Sequence, residues 1–284
     1  MTEFIDAVGR HGFLQQALLA GLLASLGCGL IGPFVLVKRI TFLAGGIAHS
    51  VLGGMGVAVY LGADPLVGAL LSAVLAALLI GWVRLTWRTG EDTAIGALWA
   101  IGMAVGILFI AHTPGYAQDL MSFLFGNILL VPPRSLWFMA ALDLLLLAVV
   151  LGGYRQFVAV AFDEEFARLR GVPVTFFYLL LLVLVAVTVV LMIQVVGLIL
   201  VIALLTLPAA VAGHWTYSLA AMMVAGTLLG SGLTSAGLAL SYGPDLPAGP
   251  TIILLAGALY LSSAVLAWLR GRWRASPTLP AARA

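Results

Sequence analysis

Long apolar stretches separated by short polar breaks dominate the chain, and they are apolar on every helical face. Nine stretches read as membrane spans: Phe13–Val37, Thr41–Leu61, Leu66–Val83, Ala94–Ala111, Ser135–Gly153, Val174–Met192, Val195–Gly213, Ser218–Ser241 and Thr251–Leu269. A helix needs roughly 20 apolar residues to cross ~30 Å of hydrocarbon, and one with no polar face suits lipid and protein neighbours alike. Asp119–Pro133 is apolar enough to enter the bilayer but too short to cross it, so it reads as re-entrant. The pattern predicts an all-α, polytopic transmembrane bundle of about eight or nine spans.

The breaks orient that bundle. Lys38 and Arg39 follow the first span, Arg84 and Arg88 the third, Arg155, Arg168 and Arg170 the fifth, and Arg270, Arg272 and Arg274 the ninth. The opposite breaks, near Asp64, His112 to Asp119 and Asp245, hold almost no Lys or Arg, with Arg134 and Arg10 as exceptions. Cationic breaks face the cytoplasm. The N-terminus is therefore expected outside and the C-terminus inside, as an odd number of spans requires. Met1–Gly12 lacks a basic stretch before a short apolar core and does not read as a cleaved signal. One transmembrane domain is expected over residues 1–269, with a basic cytoplasmic tail over 270–284.

Composition agrees and narrows the classes. The 284 residues are 63% hydrophobic and 8% charged, against about 25% charged in soluble domains. A net charge of +2 gives no argument for nucleic acid. The one cysteine, Cys28, excludes a disulfide within the chain and reads as a buried packing residue. Lys38 is the only lysine and Arg39 follows it, so no GxxxxGK[ST] phosphate loop exists. If transport is driven by ATP, the ATPase is another polypeptide. No HExxH or Cys/His zinc pattern occurs, and Ser25, Ser231 and Ser235 read as helix-packing residues.

The longest polar segment is Tyr154 to Pro173, containing Phe162-Asp163-Glu164-Glu165-Phe166-Ala167-Arg168-Leu169-Arg170-Gly171. Acids come first and arginines last, which complements a helix dipole. Gly followed by Pro is a stop signal. The order predicts a short amphipathic helix on the cytoplasmic face, a natural dock for a soluble partner.

Two ionisable groups fall inside spans, where they are costly and mark function by default. His49 lies ten residues after Arg39, roughly 15 Å along a helix and so near the midplane. Glycine-flanked polar groups at that depth are typical of transporter sites, and a neutral imidazole ligates zinc, iron, nickel or copper. The alternative is a histidine bonded to a backbone carbonyl. Asp143 lies nine residues after Arg134. It reads either as a carboxylate on a cation pathway or, in a shifted span, as a residue near the outer surface or bonded to a backbone group. Met55 is a soft ligand or a gap filler, and Gln194 and Thr206 line a cavity or bond between helices. His112, Asp119 and Asp245 belong to the outer side, and His214 to the cytoplasmic interface.

Four stretches, in order, resemble the permease subunits of metal-importing (zinc, manganese and iron) ABC transporters. They are Gly32-Pro33-Phe34-Val35-Leu36-Val37-Lys38-Arg39 with Ile47-Ala48-His49-Ser50; Asp119-Leu120-Met121-Ser122-Phe123-Leu124-Phe125-Gly126-Asn127-Ile128-Leu129; Phe162–Ala167 and Gly171 with Val196–Val201 and Leu207–Ala210; and Leu240-Ser241-Tyr242 with Pro247–Pro250. The resemblance implies a type II importer fold in the plasma (inner) membrane of a bacterium. It implies a permease homodimer, two cytoplasmic ABC ATPase subunits that use the ATP, and an extracytoplasmic solute-binding protein. The cargo would be a divalent metal, with no cofactor bound by this chain. Asp163, Glu164, Glu165, Phe166, Ala167, Arg168 and Gly171 would form the coupling helix. His49, with Asp143, Met55 and Gln194, would line the pathway, and His49 and Asp143 would supply metal ligands.

One departure stands out. Many members carry Asp four residues before the histidine, on the same helix face; here that residue is Gly45. Asp143 is the one intramembrane carboxylate available to replace it. A chelate or small organic cargo, with Gly45, Gly46, Gly53, Gly54 and Gly56 widening the path, stands as a second reading. A stand-alone cation channel or carrier is a third.

Overall fold

The computed structural model describes residues 2–87, 91–113, 126, 128–244 and 246–274. Every regular element among them is helical. In chain order these are α1 (Thr2–Arg10), α2 (Gly12–Val37), α3 (Thr41–Tyr60), α4 (Pro65–Trp87), α5 (Glu91–Ala111), α6 (Pro133–Gly152), α7 (Tyr154–Phe162), α8 (Glu164–Leu169), α9 (Val174–Val196), α10 (Leu198–Trp215), α11 (Leu219–Tyr242) and α12 (Ala248–Arg274). Nine of the described helices are long and apolar enough to cross a membrane. They are the nine predicted stretches. Helices prevail because hydrocarbon offers backbone groups no partner.

The predicted re-entrant segment lies mostly outside the described residues. Of its end, Ile128–Leu130 forms one 3-10 turn before Pro133 opens α6. The C-terminal helix continues to Arg274, so Arg270 and Arg272 are helical; residues 275–284 lie outside the described residues.

Two groups of helices share the core. α2 packs against α11, α10, α6 and α9, while α3 packs between α5 and α4. α9 touches both groups. Glycine brings α3 unusually close to its neighbours. A Cβ on Gly54 would fall 2.1 Å from the Gly68 carbonyl oxygen on α4, and one on Gly56 2.6 Å from that of Gly106 on α5. These positions are filled by backbone, which is the opposite of a widened path.

The junctions carry the expected stop chemistry. α8 ends with Gly171 at φ 76°. There the Val172 N–H reaches the Ala167 carbonyl at 3.0 Å and the Gly171 N–H that of Arg168 at 2.9 Å, the paired closure that favours glycine. α2 ends in the same closure, but the left-handed position is Arg39, at φ 58°. An L side chain there costs roughly 1–2 kcal/mol, so the α2–α3 turn is held by its surroundings.

Candidate functional site

His49 is the ninth residue of the 20-residue α3, at the middle of its span. It is half-buried, and its Nδ1 is buried with no hydrogen-bond partner among the described residues. The backbone-bonded alternative is therefore not what this nitrogen does. Its ring stacks on Trp99 of α5, with centroids 4.1 Å apart and planes 9° from parallel. Gly45, one turn earlier on the same face, is buried, yet nothing among the described residues lies within 4 Å of where its Cβ would be. Among the described residues, that face opens onto free space at Gly45.

Asp143 is elsewhere. It is the eleventh residue of the 20-residue α6, 3% exposed, with both carboxylate oxygens unpartnered among the described residues. It lies against α2 and α9: a Cβ on Gly27 would fall 2.7 Å from its Oδ1 and 2.9 Å from Met192 Cε. The reading that put it near the outer surface gives way to one deep in the helix core. Asp143 lies by Gly27 on α2 and His49 on Trp99 of α5, and among the described residues no hydrogen bond or ion pair joins the two. Among the described residues no three His, Cys, Asp or Glu side chains converge. Met55 is buried in the core, and Thr206 bonds back to the Ile202 carbonyl at 2.8 Å. The side chain of Gln194, together with Asp119 and Asp245, lies outside the described residues. A cleft of about 450 Å³ between α3 and α4 is lined by apolar and small residues such as Gly54, Gly68, Leu71 and Leu75. It holds no ionisable side chain to bind a cation.

The polar segment builds a second feature at the arginine-rich end. It divides into α7 and the short α8. Asp163 caps α8, its Oδ1 accepting from the N–H groups of Glu165 at 3.0 Å and Phe166 at 2.9 Å. Ala167 is fully buried, while Glu165, Phe166, Arg168 and Leu169 are exposed and Arg170 lies over the Phe166 ring. Glu164 turns inward. It pairs with Lys38 at the end of α2, and with Arg84 near the end of α4 at 3.3 Å. Arg84 also donates to the hydroxyl of buried Tyr178 on α9 at 2.9 Å and lies over its ring. One carboxylate thus ties α8 to the ends of two spans, at two of the four cationic breaks.

Sequence reasoning missed Trp99 and this junction. Trp99 gave a usable signal: span tryptophans concentrate at the membrane interfaces, and this one is the ninth residue of a 21-residue helix. The partners of Glu164, 126 and 80 residues away, gave none.

Nine apolar helices of spanning length among the described residues define a polytopic membrane protein, and its likeness to known proteins gives its class. The chain matches the model described as the ABC 3 transport family over residues 10–267, and it belongs to that family. It is 45% identical over 263 residues to an uncharacterized membrane protein of Synechocystis sp., covering 93% of this chain and 94% of that one. It is 35% identical over 260 residues to a manganese transport system membrane protein of Halalkalibacterium halodurans, covering 92% and 89%. Among solved structures it resembles PsaBC from Streptococcus pneumoniae, in complex with Fab, with TM-score 0.83 and 32% identity over 92% of this chain and 94% of that one. The expected fold class, an all-α importer permease, is the observed one. Family members are membrane subunits of transporters and are not themselves catalytic.

Proposed function

We propose that this chain is the pathway-forming subunit of an ATP-driven importer for a divalent metal ion, manganese foremost, in a bacterial plasma membrane. The observation that carries this reading is His49: a mid-span imidazole with a free buried nitrogen beside open space. The relative described as a manganese transport system membrane protein supports the choice of ion. A neutral imidazole makes a contact weak enough to release the ion, as a pathway requires.

In this reading two copies of the chain enclose the path, and an extracytoplasmic binding protein delivers the ion. Two separate ATPase subunits dock on α8 of each copy from the cytoplasm. The outward side chains Phe166 and Leu169 offer the apolar contact, and Glu164 passes displacement of α8 to α2 and α4. The α2–α3 turn then carries it to His49. The domain is 1–269 with its basic end beyond.

The test is manganese(II) uptake by vesicles containing the full transporter. His49→Ala is expected to abolish uptake while the ATPase still co-purifies with the permease. Normal uptake by His49→Ala overturns the pathway role, and uptake without any P-loop ATPase overturns the ATP-driven one.

A further inference from the structure

A metal-binding imidazole ordinarily uses one nitrogen for the ion and bonds the other to a carboxylate, a carbonyl or water. That bond fixes the ring plane. His49 lacks it: among the described residues neither ring nitrogen has a hydrogen-bond partner, so whichever one meets the ion, the other holds no bond. The preceding turn offers Gly45, which has no side chain. The second torsion of a histidine is broad, so something else must set the plane.

Trp99 does so. Its indole lies parallel to the imidazole at 4.1 Å. The indole is itself held. Its Nε1–H donates to Met103 Sδ one turn along α5, at 3.2 Å. The Phe42 ring, two turns before His49 on α3, flanks it at 6.0 Å between centroids. Small residues let α5 come near enough: a Cβ on Gly46 would fall 2.4 Å from Ile95 Cγ2, and one on Gly53 2.8 Å from the Gly102 carbonyl oxygen. The glycine pattern of α3 thus has two uses. Gly46 and Gly53 admit the helix that carries the indole, and Gly45 leaves the space beside the imidazole empty.

We propose that Trp99 is the positioning residue for His49, holding the imidazole by ring stacking where a hydrogen-bonded partner would otherwise hold it. The inference rests on His49 acting as a pathway ligand. Stacking fixes the ring without adding a negative charge, so the ion meets a neutral nitrogen.

The experiment measures manganese(II) uptake in vesicles containing permease, ATPase and saturating metal-loaded binding protein. Trp99→Leu is expected to lower turnover on the order of tenfold. The KM for the loaded binding protein stays unchanged, because docking happens at the outer surface. Trp99→Phe, which keeps a ring, recovers most of that loss. So does Trp99→Leu combined with Gly45→Asp, since a carboxylate fits the empty space and supplies the missing partner. The recovery by Gly45→Asp, which restores no volume at position 99, is not expected of a residue that only fills volume. Unchanged turnover in Trp99→Leu overturns the proposal, as does an altered KM with normal turnover, or failure of both Trp99→Phe and the Gly45→Asp combination to recover. His49→Ala assayed alongside separates the two readings: if His49→Ala is inactive while Trp99→Leu is normal, only the positioning role falls.

Discussion

Glu164 and His49 sit on opposite sides of one argument about polar groups in an apolar protein. At the arginine-rich end Glu164 meets Lys38 and Arg84, and Arg84 reaches Tyr178. In the middle of α3, the Nδ1 of His49 has no hydrogen-bond partner and the ring meets an indole face. Asp143 is barer still, with neither oxygen paired. A saturated network resists change, because removing one member leaves another unpaired. An unsaturated group in the same chain is one whose partner arrives from elsewhere or whose charge is absent. The contrast assigns the junction to holding and transmitting, and His49 to meeting a passing ion.

The sharpest way to break this contrast is His49→Ala, expected to take manganese uptake to background with the complex intact. Next comes the close packing that separates two glycines of one helix. Gly54→Val drives side-chain atoms into the α4 backbone near Gly68 and should reduce folded yield in detergent, at a cost of about 1–3 kcal/mol or more. Gly45→Ala, at the open position, should leave the yield unchanged. Equal effects of the two would mean that the glycines do not divide as the structure has them.

Glu164→Gln is expected to be intermediate. The Lys38 side chain is 8% exposed and would lose its carboxylate, while Glu164 itself is 30% exposed, so water softens the loss to about 1–2 kcal/mol. A lowered midpoint of thermal unfolding would register it. Removing both members with Lys38→Met and Glu164→Gln should recover part of that loss. A double variant worse than the single one argues against a paired role.

The smallest effect is expected at Asp143. Asp143→Asn keeps the shape, and both carboxylate oxygens already lack partners among the described residues, so no hydrogen bond is lost and uptake should persist within about twofold. Loss of uptake with normal assembly would instead return Asp143 to the pathway, and His49 would no longer be the lone mid-span group there.

Much of this was readable from the chain. The nine spans followed from apolar length, and α8 followed from acids first, arginines last and a closing glycine. Asp163 as the cap is also local, since its side chain bonds residues two and three ahead. The sites were less legible. Placing His49 at mid-span needed only the count from Arg39, but its relation to Asp143 did not follow from depth. Equal depth on two helices says nothing about which faces meet. The chelate reading would have Gly53, Gly54 and Gly56 widen a path, but a Cβ on any of them would meet neighbouring backbone in the fold.

By itself the sequence determined that this chain is a helical membrane protein without its own phosphate loop, that its cationic breaks share one side, and that an imidazole lies deep in a span. Those conclusions depend on solvation and on hydrogen bonds within a few residues, which local composition controls. Only the tertiary structure decided that Glu164 joins Lys38 and Arg84, that Asp143 lies on Gly27, and that Trp99 covers His49. Such contacts depend on helix rotation and crossing, and in an apolar bundle no polar face announces which side turns inward.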